Sequence, residues 1–318
     1  MRKMVFVTKL AATHLAKIQS AAPDWKIIQG RDPEIWLPHL HDAEIIGGWH
    51  RHIISTCLED PTAKLRWIHN WGAGVNQLPF EKLQQRNIMV TNSSGVHAYP
   101  ISETILAMML TLTRRIHLYV RNQMVKKWDH ANLSLEMHGK TVGILGVGAI
   151  GSETAKLCKA FGMRVLGLRR SGTSAANVDE MYDVNGLTAL LANSDYVVNT
   201  LPLTEESYHL IGKSEFETMK PSAFYINIGR GNTTDEPALV EALQTGQIAG
   251  AGLDVFAQEP LAADSPLWEM ENVVMTPHSS GSTAHYDERV IEIFLPNLET
   301  YLSGQEPTIN RVNLELQY

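Results

Sequence analysis

A glycine motif between two short apolar runs constrains this 318-residue chain more than any other feature. Residues Thr141–Leu145 are rich in β-formers and favour a buried parallel strand, and Gly146–Gly151 follow directly as G-x-G-x-x-G. A helical pattern over Ser152–Phe161 and a second apolar run, Met163–Leu168, come next. Strand, glycine turn, helix and strand within about thirty residues are typical of a unit that binds a dinucleotide.

The three glycines of this turn have separate physical tasks. Gly146 permits a tight turn, Gly148 lets the backbone approach a pyrophosphate, and Gly151 lets the helix pack against the sheet. The helix start at Ala149 and Ile150 presents free N–H groups and the positive end of the helix dipole to phosphates. A glycine-rich turn that binds nothing is the alternative, but the flanking strands and helix favour a bound dinucleotide.

The end of the second strand, Leu168-Arg169-Arg170-Ser171, bears on which dinucleotide is bound. An NAD site normally has an Asp or Glu there, about twenty residues into the motif, to accept from the ribose hydroxyls. This chain has no acid at that point, and Arg169 and Arg170, followed by Ser171, could clamp a 2′-phosphate by charge-assisted hydrogen bonds. A solvated basic turn is the alternative. Because the acid is also missing, the sequence favours NADP over NAD.

The overall composition excludes several classes of protein. A formal net charge of −7 argues against a broad nucleic-acid surface or an anionic membrane as partner. No apolar run approaches the length of a membrane span, and the N-terminal segment lacks the features of a signal peptide. Two cysteines, Cys57 and Cys158, provide no disulfide framework and no metal-ligand spacing. We therefore expect a cytoplasmic enzyme without a metal.

Short apolar runs alternate with helical patterns along the chain, which predicts an α/β fold with parallel sheets. Apolar residues at three- and four-residue spacing predict one long helix over Ile101–Trp128, leading from the first domain into the second, and a helix over Val290–Leu302 that returns the chain. The remaining predicted strands are Met4–Val7, Trp25–Gln29, Ala43–Ile46, Leu65–His69, Ile88–Thr91, Tyr196–Thr200, Phe224–Ile228, Ala249–Val255 and Val273–Thr276.

The segment Asn70-Trp71-Gly72-Ala73-Gly74-Val75-Asn76 follows one of these strands. Its glycines are compatible with an ordinary turn after a buried strand. They are equally compatible with exposed N–H groups of Gly74 and Val75 that cradle a carboxylate, as nests of amides do. The residues themselves leave both interpretations open.

Three polar residues follow the carboxyl ends of predicted parallel strands, the edge at which open α/β sheets hold ligands. Arg230 suits the carboxylate and carbonyl of a 2-oxo acid because its planar fork can hold one and polarise the other. His278 titrates in the range useful for donating a proton to the developing alkoxide. Glu259 beside that histidine would raise its pKa and fix its tautomer. Together, beside a nucleotide fold, they predict hydride transfer to a 2-oxo acid.

These segments resemble the D-isomer-specific 2-hydroxyacid dehydrogenase family over almost the whole chain. The resemblance is carried by Gly72–Val75, Gly146–Gly151, Leu201–Thr204, Asn227–Gly231, Asp254–Pro260 and Pro277–Gly281. It implies two Rossmann-like, doubly wound parallel-sheet domains. Residues 1–98 with 288–318 would form a flavodoxin-like substrate domain, and residues 99–287 an inserted NAD(P)-binding domain.

The resemblance also implies roles for individual residues. Arg230 would bind substrate, His278 would be the acid/base, and Glu259 would be its partner. The backbone of Ala73, Gly74 and Val75 would bind the substrate carboxylate. Positions that would line the cofactor are Thr200, Leu201, Pro202, Ile228, Gly229, Asp254 and Gly281. Members of the family are usually dimers, so a homodimer using the region of Ile101–Trp128 is expected.

Departures from the family pattern narrow the substrate. Arg169 stands where NAD-linked members carry Asp, which resembles the NADPH-linked glyoxylate/hydroxypyruvate reductase branch. The loop Gly48-Trp49-His50-Arg51 lacks the arginine-serine pattern of phosphoglycerate-oxidising relatives. Ser280 stands where glycine or alanine is usual. We expect NADPH-preferring reduction of glyoxylate, hydroxypyruvate or pyruvate. An NAD-dependent dehydrogenase of phosphoglycerate or another bulky 2-hydroxyacid is the alternative, and a nucleotide-sensing corepressor is a more distant one.

Overall fold

A computed structural model describes residues 1–75, 77–130 and 134–315 of the chain. The chain divides into two compact units. The first unit is Met1–Val96 with Thr283–Tyr318, and the second unit is His97–Ser282. The predicted borders follow residues 98 and 287, whereas the division falls after Val96 and after Ser282.

The elements follow the chain in alternating order. Those of the first unit are β1 (Lys3–Phe6), α1 (Ala12–Ala21), β2 (Lys26–Gln29), α2 (Pro33–Leu40), β3 (Ile45–Gly47), β4 (Trp67–Asn70), α3 (Phe80–Gln85) and β5 (Met89–Asn92). Those of the second unit are α4 (Ala98–Thr113), α5 (Ile116–Met124), β6 (Thr141–Leu145), α6 (Ala149–Ala160), β7 (Arg164–Leu168), β8 (Glu180–Tyr182), α7 (Leu187–Asn193), β9 (Tyr196–Asn199), α8 (Lys213–Thr218), β10 (Phe224–Asn227), α9 (Glu236–Thr245), β11 (Gly250–Leu253) and β12 (Val273–Met275). The last helix, α10 (Tyr286–Leu302), belongs to the first unit.

Each unit contains one parallel sheet, which confirms the predicted α/β class. The first unit has five strands in the order β2-β1-β3-β4-β5, the flavodoxin-like arrangement. The second has seven in the order β12-β11-β10-β9-β6-β7-β8. The strands are nearly continuous apolar runs because helices cover both faces of such sheets. In this second sheet the strand order reverses at β6, which lies between β7 and β9.

Buried side chains form two clusters in each unit. In the first unit, one cluster centres on Trp36, Leu40 and Ile68, and the other contains Trp67 and Phe294, whose rings stack at 5.2 Å. The second cluster joins α10 to a sheet formed by the N-terminal part of the chain, so the C-terminal helix completes the first unit. None of the helices in the described part of the chain has the length and apolar content to cross a membrane.

The prediction of one long helix over Ile101–Trp128 is wrong. The chain forms α4 and α5, separated at Arg115, whose φ of 54° is left-handed and ends an α-helix. The apolar stripe of α4 is buried, as predicted for Ile105, Met109 and their neighbours, but no residue of α5 is buried. No glycine marks the break, so the pattern carried no sign of it. The three-residue edge strand β8 and the short helix α8 were also absent from the sequence prediction.

Candidate active site

The glycine turn after β6 lies at the point where the strand order of the second sheet reverses. Ligands of doubly wound folds bind at such points because neighbouring loops diverge there. Gly146 has a φ of +94°, which favours glycine. The hydroxyl of Thr200, at the end of β9, donates to the carbonyl oxygen of Gly146 at 2.6 Å. The predicted cofactor residue Thr200 thus joins the turns that follow β6 and β9.

The N-terminus of α6 offers a place for phosphate. The first N–H groups of an α-helix, here those of Ala149, Ile150 and Gly151, have no intrahelical acceptors. The N-cap residue, Gly148, has no side chain that could accept from them instead. A Cβ built on Gly148 would have open space around it, with nothing within 4 Å, whereas one on Gly151 would lie 2.4 Å from the carbonyl oxygen of Gly146. Tight packing on one side and open space on the other fit a pyrophosphate bound against backbone amides.

The turn after β7 contains the residues predicted to hold a 2′-phosphate. Nε of Arg169 donates to the carbonyl of Thr173 at 2.7 Å, and Nη2 donates to that of Ser174 at 2.8 Å. Arg170 is paired with the carboxylate of Glu206. Ser171 is exposed, and its hydroxyl accepts from the N–H of Thr173 at 3.3 Å. The turn therefore contains two guanidinium groups held locally, one by carbonyls and one by a carboxylate.

The loops after β9 and β10 lie against each other. A Cβ on Gly229 would be 2.5 Å from the carbonyl oxygen of Leu201, so these two predicted cofactor positions are in contact. The carbonyl of Pro202 accepts from the hydroxyl of Ser207 at 2.6 Å, and Ile228 is buried. The structure therefore brings the predicted positions after β9 and β10 together at the carboxyl edge of the sheet.

Glu259 and His278 form a hydrogen-bonded pair. Nδ1 of the His278 ring lies 2.7 Å from Oε2 of Glu259, and the other carboxylate oxygen accepts from the N–H of Phe256 at 3.0 Å. An Nδ1–H that donates to the carboxylate leaves Nε2 as the ring atom able to give or take a proton. The side chains are 50% and 35% exposed, so this pair is open to a ligand.

Arg230 lies beyond β10, the strand next to β11. It is exposed, and its Nη1 donates to the carbonyl of Gly229 at 2.7 Å. Within residues 1–75, 77–130 and 134–315, no carboxylate forms an ion pair with it. A guanidinium in this state retains donors for an anionic ligand.

Asp254 is fully buried and supports the loop that carries His278. Its Oδ1 accepts from the hydroxyl of Thr276 at 2.5 Å and from the N–H of Ser279 at 2.9 Å. Its carboxylate also accepts from the N–H of Ser280 at 3.2 Å and from the hydroxyl of that residue. Within this loop the N–H of His278 donates to the backbone carbonyl of Asp254, and the φ of His278 is 48°. The buried carboxylate thus fixes the position of the histidine.

Gly281 follows this loop at the end of the second unit. Its carbonyl oxygen lies 2.9 Å from Nδ1 of His97, the residue that precedes α4. The predicted cofactor position Gly281 is thereby tied to the other chain terminus of the same unit.

The loop after β4, residues Trp71–Val75, belongs to the first unit and is called the β4 loop below. No residue of the described chain, which omits Asn76, accepts a hydrogen bond from the N–H of Gly72, Ala73, Gly74 or Val75. A Cβ built on Gly74 would have nothing within 4 Å. Consecutive N–H groups without acceptors in the described chain are available to an anion, so both the nest and the simple turn remain compatible with this loop.

Sequence reasoning assigned no role to four asparagines that each end a strand. Asn70, Asn92, Asn199 and Asn227 are the last residues of β4, β5, β9 and β10, and all are buried. Three of them, Asn92, Asn199 and Asn227, accept from the N–H two residues later. The donors are Ser94, Leu201 and Gly229, each at 3.0 Å. An asparagine directly after an apolar run was the available signal, because its side chain favours such turns.

The chain resembles known proteins over both units. Residues 106–280 match the sequence model described as D-isomer specific 2-hydroxyacid dehydrogenase, NAD binding domain. Over 99% of its length, the chain is 32% identical to a glyoxylate reductase of Korarchaeum cryptofilum, 97% of which is covered.

Two solved structures are similar along their whole length. One is a D-isomer specific 2-hydroxyacid dehydrogenase family protein from Aeromonas salmonicida, with a TM-score of 0.81 and 34% identity, covering 98% of this chain and 99% of that one. The other is an NADPH-dependent glyoxylate/hydroxypyruvate reductase from Sinorhizobium meliloti in complex with NADP and sulfate, with a TM-score of 0.81 and 26% identity, covering 100% of both chains.

Proposed function

Since this chain belongs to the D-isomer-specific 2-hydroxyacid dehydrogenase family, we propose that it reduces a small 2-oxo acid to the D-2-hydroxy acid and prefers NADPH. It is an NAD(P)-dependent oxidoreductase acting on the CH–OH group of donors. Glyoxylate, hydroxypyruvate and pyruvate are the acids we propose. The second unit would bind the cofactor, and the first unit would bind the substrate carboxylate.

The His278–Glu259 hydrogen bond carries this proposal. Because the carboxylate accepts from Nδ1–H, the proton on Nε2 is the one available to the substrate oxygen. The carboxylate of Glu259 orients the imidazole ring through this hydrogen bond, and its own position is fixed by the N–H of Phe256. His278 would therefore donate a proton as the keto group becomes an alkoxide.

Arg230 would orient the acid, since its guanidinium can donate to a carboxylate and polarise a carbonyl. The N–H groups of Ala73, Gly74 and Val75 would bind the carboxylate through the nest of the β4 loop. When bound, NADPH supplies the hydride for the keto carbon. Its pyrophosphate would be held by the N–H groups at Ala149 and Ile150, and its 2′-phosphate by the turn at Arg169–Ser171.

The proposed role of His278 is tested by His278→Gln, which retains a hydrogen-bonding side chain but cannot carry a proton at neutral pH. We expect the turnover number for glyoxylate to fall by about two to four orders of magnitude, the typical contribution of a general acid. The dissociation constant of NADPH, measured by fluorescence titration, should stay within about twofold of wild type. Full activity in this variant would refute the assignment.

The proposed NADPH preference is tested by comparing kcat/KM with NADPH and NADH. Arg169→Asp replaces a cation with the acid expected of an NAD site, so the ratio should shift toward NADH by at least tenfold. Lys213→Asp is a matched charge reversal on an exposed residue of α8 paired with Glu241 and should leave the ratio unchanged. An unaltered ratio in the Arg169 variant would mean that this turn takes no part in cofactor choice.

A panel of 2-oxo acids defines the substrate. We expect glyoxylate, hydroxypyruvate or pyruvate to have the highest kcat/KM with NADPH. Higher values with NAD and 3-phosphoglycerate would favour the alternative dehydrogenase, with Arg51 available to meet a phosphate. Chiral chromatography of the products of hydroxypyruvate and pyruvate distinguishes the D-product from the L-product, whereas glycolate, the product of glyoxylate, has no stereocentre.

We further propose a cytoplasmic homodimer, as the family resemblance implies. The residues Ile116, Val120, Met124 and Trp128 on and after α5 are exposed, with Trp128 at 99%. Such a cluster of exposed apolar side chains is typical of an interface. Sedimentation should give a dimer, and Val120→Glu should weaken it.

A further inference from the structure

The β4 loop has its carbonyl groups held, whereas the N–H groups of Gly72–Val75 find no acceptor among the residues that the structure describes. The carbonyl of Trp71 accepts from the hydroxyl of Tyr286 at 2.5 Å, and that of Val75 accepts from the N–H of Leu78 at 2.9 Å. The three carbonyls between them accept from side-chain amides. Asn70 donates to the carbonyl of Gly72 at 2.9 Å and to that of Gly74 at 2.8 Å, and Asn92 donates to that of Ala73 at 2.9 Å. All five carbonyls of the loop therefore have partners.

A held carbonyl determines where the next N–H points. The peptide unit is planar and trans, so the C=O of one residue and the N–H of the next point in opposite directions. The bond from Asn92 to the carbonyl of Ala73 sets the direction of the Gly74 N–H. The bond from Asn70 to the carbonyl of Gly74 sets that of the Val75 N–H.

Asn70 holds two carbonyls of this loop. Its one amide nitrogen donates to the carbonyls of both Gly72 and Gly74, and so it fixes two of the three peptide planes between Gly72 and Val75. It is 2% exposed and is the last residue of β4, which pairs with β3 and β5 on its two sides. A central strand thus provides a rigid support for the amide.

We propose that Asn70 is a positioning residue for the substrate carboxylate. Its side-chain amide turns the peptides of the β4 loop so that the N–H groups of Ala73 and Val75 converge on the anion. Asn92 does the same for the N–H of Gly74. This inference rests on the proposed function, because it supplies a physical origin for carboxylate affinity in a 2-oxo acid reductase. Asn70 itself does not contact the substrate.

The test is Asn70→Ala, assayed with glyoxylate and NADPH. The enzyme holds the substrate carboxylate alike in the ground state and in the transition state. Weakening these contacts therefore raises KM more than it lowers kcat. Losing alignment of two hydrogen bonds to a charged group should raise KM by about tenfold to a hundredfold, while kcat stays within about threefold. The inhibition constant of oxalate should rise in parallel, and the dissociation constant of NADPH should not change.

Gln19→Ala is the matched control. The amide of Gln19 also donates to backbone carbonyls of a turn in the first unit, those of Ala22, Pro23 and Trp25. That turn precedes β2 and lies at the amino edge of the sheet, opposite to the β4 loop. Because Gln19 is exposed, a small loss of melting temperature with an unchanged KM is expected, which shows that losing an amide-to-carbonyl bond elsewhere in this unit does not raise KM.

Asn92→Ser is the second variant, and it keeps the inference testable if Asn70→Ala does not fold. It releases the Ala73 carbonyl, so we expect a smaller rise in KM, about threefold to tenfold. Unchanged KM and oxalate inhibition in the folded variants, with an active wild type, would refute this inference alone. A wild-type protein that reduces no 2-oxo acid would refute the proposed function as well, and the two failures are thus distinguishable.

Discussion

Replacing Asp254 with Asn tests whether this buried carboxylate supports the loop of His278. The two side chains have nearly the same shape, but the amide has one acceptor where the carboxylate has two. The N–H of Ser280 now lies 3.2 Å from each of the two carboxylate oxygens, and the hydroxyl of Ser280 donates to Oδ2. If the amide oxygen keeps the bonds to Thr276 and Ser279, the Ser280 N–H retains one of its two acceptors, and the new NH₂ group faces donors of Ser280. A buried donor left without an acceptor costs about 1–3 kcal/mol, and the retained bonds lose their charge assistance. We expect the loop to be destabilised by about 3 kcal/mol in total.

Amide hydrogen exchange of residues 276–282 in the cofactor-free protein measures this cost directly. A loss of about 3 kcal/mol should accelerate the exchange of the Ser279 and Ser280 amides by about a hundredfold. Ser280→Ala removes only the hydroxyl that donates to Asp254 and should accelerate the exchange of these amides by about fivefold. Asp195→Asn is the matched control, since that carboxylate accepts from the N–H of Thr141 at the amino end of β6. Unchanged exchange in Asp254→Asn, together with weaker NADPH binding, would refute the supporting role and leave cofactor contact as its function.

Three further predictions follow from burial and close packing. Burial lowers the pKa of His69 to about 3, so the unfolded state binds more protons than the folded state between pH 3 and 6.5. The free energy of unfolding therefore falls as the pH is lowered through this range. In His69→Gln, the dependence of this free energy on pH, measured by urea titration, should be smaller by up to about 1.4 kcal/mol per pH unit. Burial raises the pKa of Cys57 and Cys158 to about 12, so both thiols should resist a disulfide reagent at pH 8 in the native protein and react in urea. A Cβ on Gly231 would lie 1.9 Å from the carbonyl oxygen of Phe256, so Gly231→Ala should cost about 1–3 kcal/mol in thermal unfolding and lower kcat by displacing the loop of Glu259.

The predicted strands correspond to the observed ones because buried parallel strands are short, nearly continuous apolar runs. The run Thr141–Leu145 and its neighbour β7 were recognisable for this reason, and so was the glycine turn between β6 and α6. Elements whose stability comes from packing left no such pattern. The break at Arg115 places a non-glycine residue at positive φ, and β8 is a three-residue strand at a sheet edge.

The catalytic candidates were found from their places at the ends of strands, where parallel sheets bring distant residues to one edge. What sequence could not provide is the partner of each polar atom. The resemblance implies that Asp254 lines the cofactor, and the structure adds that its carboxylate accepts from the N–H groups of Ser279 and Ser280 in the loop of His278. Ser280 departs from the usual glycine or alanine, and its hydroxyl donates to that same carboxylate. A hydroxyl added beside an acceptor in a buried site gains a hydrogen bond, which accounts for the tolerance of serine at this position.

The strand-terminal asparagines show why binding loops in this chain depend on buried amides. Backbone hydrogen bonds of a parallel sheet end with the strand, and the next peptide groups must find other partners or remain open to solvent. In the loop that carries Arg230, Asn227 provides such partners. Its Oδ1 accepts from the N–H of Gly229, and its Nδ2 donates to the Arg230 carbonyl at 3.3 Å. Asn70 instead donates to two carbonyls of its loop, and the N–H groups of Gly72–Val75 have no acceptor in the described chain. The same residue type therefore orients a cationic side chain after β10 and a set of open N–H groups after β4, and both arrangements suit an anionic substrate.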